Sequence, residues 1–366
     1  MLFVFYFAPR GSTTLRGTMK WFRLLLILML FGAPLACRKT PRNISPAFYH
    51  WQTGFQLSWE EIAYLDSIGC KKLYIKILDV GINRSSGVIE PYSRLEIKDS
   101  TGIDRYETVS VIFITNAVFE NITAEKTDWL VEKITASIGS FPFSKTAREI
   151  QFDCDWTAST RAAFFIFLKK IKKALPDKVL SATIRLHQYK FPQQTGVPPV
   201  SRGMLMFYNT GDIESENTQN SIFDLQDAEK YVYGARKDYP LPLDLALPVF
   251  SWTLVYREGE FWKIINGVPP DLQDTARFET VAQDAARLQV KKATFLAGHY
   301  LRPGDHLRIE HITNELLSEA AGLAAQTDLA TNTTVAFFYL DSVATRRFPP
   351  KIINSICQKT GSSGMK

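Results

Sequence analysis

Residues 149–157 read Glu-Ile-Gln-Phe-Asp-Cys-Asp-Trp-Thr. Two carboxylates, Asp153 and Asp155, lie at the end of the apolar part of this stretch. The run Glu149–Asp153 has the length of a buried strand. Asp153 and Asp155 are two residues apart, so an extended chain points both side chains to the same side, roughly 6.5–7 Å apart. Two like charges this close, at the edge of a low-dielectric interior, push one pKa upward. The stretch therefore predicts a carboxylate pair that is suited to acid/base chemistry.

The same stretch also allows a structural interpretation. A helical pattern begins near Ser159, so an aspartate before it is a candidate helix N-cap. Arg161 and Arg185 are candidate partners for an ion pair with one of the carboxylates. The residues alone leave the catalytic and the structural interpretation open.

Seven further apolar runs resemble the strand at residues 149–153. They are Ala47–Trp51, Lys72–Leu78, Thr108–Thr115, Val179–Leu186, Gly203–Tyr208, Leu243–Phe250 and Thr334–Leu340. Helical patterns lie between several of them, at Trp59–Ile68, Ala124–Ile138, Ser159–Ala174 and Asp224–Tyr233. This alternation indicates a parallel sheet. Eight strands in one domain favour a closed α/β barrel, a (β/α)₈ TIM barrel, over an open dinucleotide-binding sheet. The absence of a Gly-rich phosphate loop after the first strand also argues against the open sheet.

The connection between strands 7 and 8 is very long. We predict a small β-containing insertion at about 252–312, which includes a helical piece at Thr275–Leu288, and then a helix at Thr313–Gln326. The segment from Gly81 to Tyr106 is expected to be an extended loop. The barrel is predicted to span 46–345, and the polar tail 346–366 to fray.

Residues 1–37 have the features of an export signal. From Met19, which we expect to be the true start, a basic segment precedes the apolar run Leu24–Ala36 and then Cys37. The apolar run is too short for a comfortable transmembrane span. The segment Pro34-Leu35-Ala36-Cys37 resembles a bacterial lipobox, with Pro34 where Leu is usual. An ordinary signal peptide with a chance Cys is the alternative.

The lipobox resemblance implies lipidation at Cys37, followed by a short tether at 38–45. Arg38 follows the Cys, where an Asp would be an inner-membrane retention signal. We therefore expect an exported protein that is lipid-anchored to the cell envelope, on the outer membrane.

Charge and cysteine content exclude several classes of function. The net charge of +6 comes partly from the two chain ends, and no basic stripe with interleaved aromatics occurs, so nucleic-acid binding is not expected. With Cys37 acylated, three cysteines remain, without Cys-x-x-Cys or Cys/His spacing, so neither a disulfide framework nor a metal site is expected. Cys70 and Cys154 lie in apolar contexts that predict burial. No cofactor motif is present.

Polar and aromatic residues follow nearly every predicted strand, where barrels of this class build their sites. The predicted catalytic residues are Asp153, Asp155 and Tyr208. The predicted substrate-binding residues are His50, Trp51, Asp79, Arg185, His187, Asn209, Trp252 and Asp341. Trp51, Trp252 and Tyr208 suit stacking on sugar faces, and Arg185, His187 and Gln188 suit hydrogen bonds to hydroxyls or a uronate. Core packing is the alternative for each Trp, and a structural role is the alternative for His187.

Two short motifs resemble the chitinase-like glycosidases of family eighteen, which are also (β/α)₈ barrels. Asp153-Cys154-Asp155-Trp156-Thr157 matches both aspartates of that family's Asp-x-Asp-x-Glu run. Met206-Phe207-Tyr208-Asn209 matches the Met and Tyr of its Met-x-Tyr-Asp run, and Leu180–Thr183 is weakly similar. Thr157 replaces the proton-donating Glu, and Asn209 replaces the Asp. The overall pattern also resembles a group of exported bacterial barrel lipoproteins that has no known reaction.

Two functions follow as hypotheses. The first is a glycoside hydrolase of the cell envelope, in which Asp79 or Asp341 supplies the second acid beside Asp153 or Asp155. A separation near 5 Å between the two carboxyls would indicate retention, and a wider one inversion. The second is a carbohydrate-binding lipoprotein without catalysis on the same barrel. In both, the partner is a poly- or oligosaccharide, with the membrane reached through the lipid anchor.

Overall fold

The computed structural model describes residues 41–235 and 238–362. The predicted leader, Met19, Cys37 and the first three residues of the tether, 38–40, lie outside the described residues. No helix within those two ranges is both long and apolar enough to cross a bilayer.

The strands are numbered here in chain order. They are β1 Asn43–His50, β2 Gly54–Phe55, β3 Lys72–Ile82, β4 Ile89–Arg94, β5 Glu96–Ile97, β6 Glu107–Ile114, β7 Glu149–Asp153, β8 Val179–Arg185, β9 Arg202–Met206, β10 Leu243–Pro248, β11 Ser251–Arg257, β12 Glu260–Asn266, β13 Phe278–Val281, β14 Asp284–Val290, β15 Thr294–Leu296, β16 His299–Leu301, β17 His306–His311 and β18 Asn332–Phe338.

The α-helices are numbered in the same way. They are α1 Trp59–Ser67, α2 Ala124–Ser140, α3 Pro142–Thr146, α4 Arg161–Ala174, α5 Leu186–Lys190, α6 Pro192–Thr195, α7 Leu225–Val232, α8 Asn314–Ala324, α9 Ser342–Arg347 and α10 Pro350–Gly361. Short 3₁₀ turns lie at Ile103–Arg105, Asn116–Phe119 and Pro270–Gln273.

Eight parallel strands close into a barrel in the order β1, β3, β6, β7, β8, β9, β10 and β18. Closure follows from β1, which pairs in parallel with β18 on one side and with β3 on the other. Each strand corresponds to one of the eight predicted apolar runs. The predicted (β/α)₈ fold is therefore confirmed.

Local sequence explains where the principal helices begin. Ser58 and Glu61 form a capping box at α1, in which each side chain accepts a hydrogen bond from the backbone N–H of the other. Thr123 and Thr313 accept from backbone N–H groups at the starts of α2 and α8. The caps leave the apolar faces of these helices to pack on the barrel.

The barrel interior below the site is polar as well as aromatic. The Tyr49 hydroxyl donates to Oε1 of Gln151 at 2.6 Å, and the Ser181 hydroxyl donates to Oε1 of Glu149 at 2.6 Å. The rings of Tyr49 and Tyr74 stack with centroids 4.8 Å apart. This filled interior makes the lower barrel a packed core rather than a pore.

The predicted insertion lies between β10 and β18. Strands β11 to β14 and β17 form a five-stranded antiparallel sheet, and β15 and β16 form a hairpin. The insertion has a small apolar core of its own, which includes Val255, Phe278 and Leu307. The predicted helix at Thr275–Leu288 is wrong. The buried residues Leu288 and Val290 are two positions apart, which is the spacing of one face of a strand, and β13 and β14 pair as a hairpin.

Three boundaries differ from the prediction. Asn43–Ser45, placed in the tether, begin β1. The expected extended loop from Gly81 contains β4, which pairs antiparallel with the end of β3. The expected frayed tail is wrong as far as Ser362, because α10 buries Ile353, Ile356 and Cys357 at helical spacing. Cys70 and Cys154 are buried, as predicted.

Candidate functional site

A cleft of about 750 Å³ opens at the carboxyl ends of the barrel strands. Eight residues chosen from the sequence line it: Trp51, Asp79, Asp153, Asp155, Arg185, Tyr208, Asn209 and Trp252. These come from β1, β3, β7, β8, β9 and β11 or the residues just after them. The closed barrel thus brings together side chains that are far apart in the sequence.

Asp153 ends β7 with a buried carboxylate. The Thr183 hydroxyl donates a hydrogen bond of 2.7 Å to its Oδ1. Burial raises the pKa of Asp153 to about 6, and the neighbouring carboxylate of Asp155 adds to the rise, against the opposing effects of Arg185 and Thr183. The carboxyl group therefore holds a proton in weakly acidic solution.

Asp155 is held by Arg185. Nε and Nη2 of the guanidinium donate to Oδ1 and Oδ2 of Asp155, the second at 2.8 Å, in a fork-to-fork ion pair. Burial lowers the pKa of Arg185, but the Asp155 charge outweighs it and the net shift is upward. Arg161 instead donates to the carbonyl oxygen of Gln194. Of the two ion pairs considered from the sequence, the structure contains the one with Arg185.

Asp79 lies at the same height in the barrel as Asp153, two strands away. In the strand register Asp79 pairs with Phe113, and Phe113 pairs with Asp153. Two strand spacings place the Cα atoms of the two aspartates about 9–10 Å apart. Both side chains line the cleft and both residues are at most 5% exposed. Asp79 and Asp153 are therefore two buried carboxyl residues at one level of the same cleft.

Lys76 forms an ion pair with Asp79, with 2.7 Å between Nζ and Oδ2. The other carboxylate oxygen, Oδ1, is buried and has no hydrogen-bond partner among the described residues. It is an acceptor that a ligand hydroxyl can satisfy. The Lys76 ammonium also lies 4.9 Å from the ring centroid of Trp51, a cation–π contact.

Tyr208 is a buried aromatic at the floor of the cleft. Its ring stacks on Phe338 at 5.3 Å and meets Phe250 edge-on at 5.9 Å. Its hydroxyl lies 3.5 Å from the sulfur of Met206, and burial raises the pKa of the phenol well above its ordinary value. Asn209 follows in a left-handed conformation with φ of 55°, which Asn tolerates better than most residues.

Trp252 brings the insertion into the cleft wall. Its indole N–H donates to Oε2 of Glu310 at 2.7 Å, and the same oxygen accepts from the Ser221 hydroxyl at 2.7 Å. Arg308 donates to the other oxygen of Glu310 at 2.6 Å. The buried Arg308–Glu310 pair thus fixes the Trp252 ring and the loop at Ser221 together.

Four residues that we expected to contact substrate lie outside the cleft. His50 is buried against the ring of Phe55, and burial lowers its pKa to about 4. His187 is exposed on α5, and Gln188 is buried with its side-chain N–H on the carbonyl of Trp156. Asp341 accepts from the N–H groups of Val343 and Ala344 as the N-cap of α9. A position at the end of a strand was therefore not enough to predict that these side chains line the cleft.

Sequence reasoning missed several cleft residues. Lys76 lies inside a predicted strand, where a charged residue in an apolar run was the available signal. Tyr92 belongs to β4, Asn266 to β12 and Tyr339 to the turn after β18. Tyr92 lies in the segment that we expected to be an extended loop, so its position in a sheet was not predicted. Thr157, which replaces the family's acid, lies outside the cleft, and its backbone N–H donates to the Thr160 hydroxyl oxygen at 2.9 Å.

Within residues 41–235 and 238–362, no group of three or more His, Cys, Asp or Glu side chains is arranged to hold a metal ion. The contacts above consist of ion pairs, hydroxyls and aromatic rings.

The fold and cleft define a (β/α)₈ barrel with a carboxylate-lined site at the carboxyl ends of its strands. Solved structures of such barrels resemble it. The C-terminal domain of a candidate chitinase from Desulfitobacterium hafniense superimposes with a TM-score of 0.50 at 9% identity, covering 87% of this chain and 100% of that one. The chain therefore has a chitinase-like TIM-barrel fold.

Two other matches are more distant in shape. The spore cortex-lytic enzyme SleL of Bacillus cereus gives a TM-score of 0.47 at 14% identity, covering 88% of this chain and 75% of that one. A fungal endo-β-N-acetylglucosaminidase of glycosyl hydrolase family 18 gives 0.46 at 10% identity, covering 85% and 97%. No protein-family model and no curated protein sequence matches the chain. At these identities the likeness concerns the fold and not the activity.

Proposed function

We propose that the cleft binds an oligosaccharide and hydrolyses a glycosidic bond, with Asp153 as the general acid and Asp79 as the opposing carboxylate. The observation that carries the proposal is the placement of these two buried carboxyls, at one height, in the same cleft. Their environments also differ, because Asp153 is pushed toward its protonated form and Asp79 is ion-paired with Lys76. Such a division is the pattern of an acid and its partner base.

In this mechanism Asp153 donates its proton to the leaving-group oxygen. Asp79 lies across Phe113, where its carboxylate either activates a water molecule or meets the anomeric carbon. Asp155 contributes by raising the pKa of Asp153, and Arg185 keeps Asp155 in place. Tyr208 and Trp252 supply apolar surface against which a sugar ring packs.

The route differs from the substrate-assisted hydrolysis of family eighteen. The position of that family's acid holds Thr157, which lies outside the cleft, and Asn209 stands where the family has Asp. The likeness to a candidate chitinase supports an amino-sugar polymer as the first substrate class to test.

The test is hydrolysis of a panel of bacterial and host glycans, including chitin and peptidoglycan, by the purified full chain. Asp153→Asn and Asp79→Asn are each compared with Asp341→Asn, the same change at the same end of the barrel but outside the cleft. Asn also caps helices well, so the control keeps α9. Activity that both cleft variants lose and the control keeps is expected. Full activity in Asp153→Asn would overturn the proposal.

A carbohydrate-binding protein without catalysis is the second candidate. The observation that favours it is that two of the three cleft carboxylates, Asp79 and Asp155, are already engaged by cations. Calorimetric titration separates the two functions. Binding of one glycan without turnover, weakened in Asp79→Asn because Oδ1 is the free acceptor, would establish the binder.

We further propose that the protein is exported and lipid-anchored at Cys37, on the evidence of the lipobox-like segment alone. Expression in a bacterial host with labelled palmitate tests it. Label on the native chain and its loss in Cys37→Ser are expected, and the mass of the N-terminal peptide identifies the attached group. Label retained in Cys37→Ser, or an unmodified Cys37 in the membrane fraction, would contradict the attachment.

A further inference from the structure

Basic side chains are concentrated at the end of the barrel opposite the cleft. The connections that lead into β3, β7 and β8 carry Lys71, Lys145, Arg148, Lys172, Lys173 and Lys178. Exposed acids also lie in the connections before β6 and β8, at Asp99, Asp104 and Asp177, and two further acids pair with a base, Glu107 with Lys72 and Asp66 with Arg105. Strands β3, β6, β7 and β8 are neighbours in the barrel, so the charges form one sector, here called the basic face.

Lysine side chains of the basic face hydrogen-bond to the backbone of its connections. The Lys178 ammonium donates to the carbonyl oxygens of Ser144, Lys145 and Ala147, the second at 2.9 Å. The Lys172 ammonium donates to the carbonyl of Pro176 at 2.9 Å. These bonds tie the connection before β8 to the one before β7, so the charges keep their spacing.

A hollow of about 360 Å³ opens in the same face, between the connections that lead into β6 and β7. Its lining includes Arg148, Tyr106 and Glu107, whose carboxylate pairs with Lys72. Tyr106 is 6% exposed, and its hydroxyl has no hydrogen-bond partner among the described residues. A cation beside a free hydroxyl donor suits a phosphate oxygen.

The chain enters the barrel beside this face. The Arg42 guanidinium donates to the carbonyl oxygens of Ala325 and Thr327, both at 2.8 Å, at the end of α8. Its backbone N–H donates to the carbonyl oxygen of Gly361 at 3.2 Å. Arg42 leads into β1, the neighbour of β3. The entry point of the tether is therefore fixed at the barrel end that carries the basic face.

We propose that the basic face docks on an anionic phospholipid bilayer, so that the cleft points away from the membrane. The orientation rests on the proposed attachment at Cys37. Arg42 is five residues after Cys37, which limits the span between their Cα atoms to about 18 Å. This reach confines the basic face to the neighbourhood of the bilayer, where Lys and Arg are attracted to anionic headgroups over about one Debye length.

The test is lysine labelling on vesicles, read residue by residue by mass spectrometry. The full chain is bound to vesicles of phosphatidylcholine alone or of phosphatidylcholine with phosphatidylglycerol, and treated with a membrane-impermeant amine reagent. Loss of labelling at Lys71, Lys145 and Lys173 is expected on the anionic vesicles, with recovery at high salt. Lys126 and Lys292, outside the basic face, should label equally on both. Equal labelling of the basic face on both vesicles would overturn the proposal.

A charge-reversal pair makes the test specific. Lys71→Glu/Lys145→Glu/Lys173→Glu alters three exposed side chains of the basic face. Arg84→Glu/Lys126→Glu/Lys292→Glu makes the same change at exposed positions elsewhere. Protection of Lys172 should be lost in the first variant and kept in the second, and the same loss in both would overturn the proposal. The mass of the N-terminal peptide reports lipidation separately, so an unmodified Cys37 with protection intact would refute the attachment and leave the docking surface standing.

Discussion

Lys76 and Asp79 lie three residues apart on one strand, yet their side chains meet with 2.7 Å between Nζ and Oδ2. A regular strand would point them to opposite faces, because side chains alternate with a period of two. A β-bulge at Ile77 inserts one residue between Lys76, which pairs with Val111, and Leu78, which pairs with Ile112. The bulge changes the phase of the strand and aims both side chains into the cleft.

This relationship predicts strong coupling between the two residues. Lys76→Met leaves the carboxylate of Asp79 without its partner in a largely buried site, so we expect a loss of about 3 kcal/mol in the free energy of unfolding. Lys76→Met/Asp79→Asn should recover much of that loss. Urea unfolding of both single variants and the double variant measures the coupling. Additive losses would show that the pair does not interact in solution.

Stability should depend on pH through Asp153. The pKa of Asp153 is about 6 in the folded protein against an ordinary value of 3.8, so the native state binds an extra proton between these two pH values. Stability from this group is therefore present at low pH and is lost as pH rises through the window. Asp153→Asn removes the penalty and should be more stable than the native chain by about 1–3 kcal/mol at pH 7.5, with no gain near pH 3.5. A gain of equal size at both pH values would contradict the assignment.

The same group sets a prediction for activity. If Asp153 donates the proton, kcat/KM falls above pH 6 by about tenfold per unit, because the acid form becomes scarce. The measurement is kcat/KM from pH 4 to 8 on the best glycan of the panel. Asp155→Asn removes the neighbouring charge that raises the pKa, so its descending limb should move to lower pH. A descending limb unmoved in that variant would mean that another group titrates.

Glu310 links the core of the insertion to the cleft. Glu310→Gln leaves Arg308 as an uncompensated buried charge, and we expect a loss of about 3–5 kcal/mol in unfolding free energy. Because Glu310 accepts the Trp252 indole N–H, the Trp252 ring should also lose its fixed position. Urea unfolding and tryptophan fluorescence, with Trp252→Phe to assign the signal, report the two effects. Glu279→Gln, the same change at an exposed position on β13, is the matched control. It should change neither the free energy of unfolding nor the Trp252 fluorescence.

Asp341 is expected to act on stability alone. Asp341→Ala removes the acceptor for two backbone N–H groups of α9, which costs about 1 kcal/mol, whereas Asp341→Asn should cost a few tenths. Thermal unfolding of the two variants gives the difference. Glycan binding should be unchanged in both variants. Weakened binding in Asp341→Asn would show that Asp341 contributes to the binding site.

Much of the fold could be predicted because its signals are local. Each barrel strand is an apolar run that is buried from both sides, and each such run can be recognised in the sequence independently of the others. Local patterns were less informative in the insertion. At Thr275–Leu288 the apolar residues fit a helix loosely, while the pairing of Phe278 with Val290 makes a hairpin. Cross-strand pairing is a long-range contact, and no local pattern contains it.

The site divides in the same way. Asp153, Asp155 and Arg185 could be chosen from their positions at strand ends, and all three line one cleft. The same rule also selected His50, His187 and Asp341, which lie elsewhere. Whether a strand-end residue turns into the barrel, onto a helix or toward solvent depends on the last peptide units and their packing. A shift of one residue in the strand turns its side chains to the opposite face.

The sequence by itself determined the barrel, the carboxylates at the end of its fourth strand, and the departures at Thr157 and Asn209 from the glycosidase pattern. These properties depend on residue type and on spacing along one segment. Only the tertiary structure decided that Asp79 lies level with Asp153 in the same cleft, that Lys76 pairs with Asp79, and that Glu310 holds Trp252 in the cleft wall. Those contacts join residues of different strands or depend on a bulge, so they exist only once the closed barrel has set each strand's register.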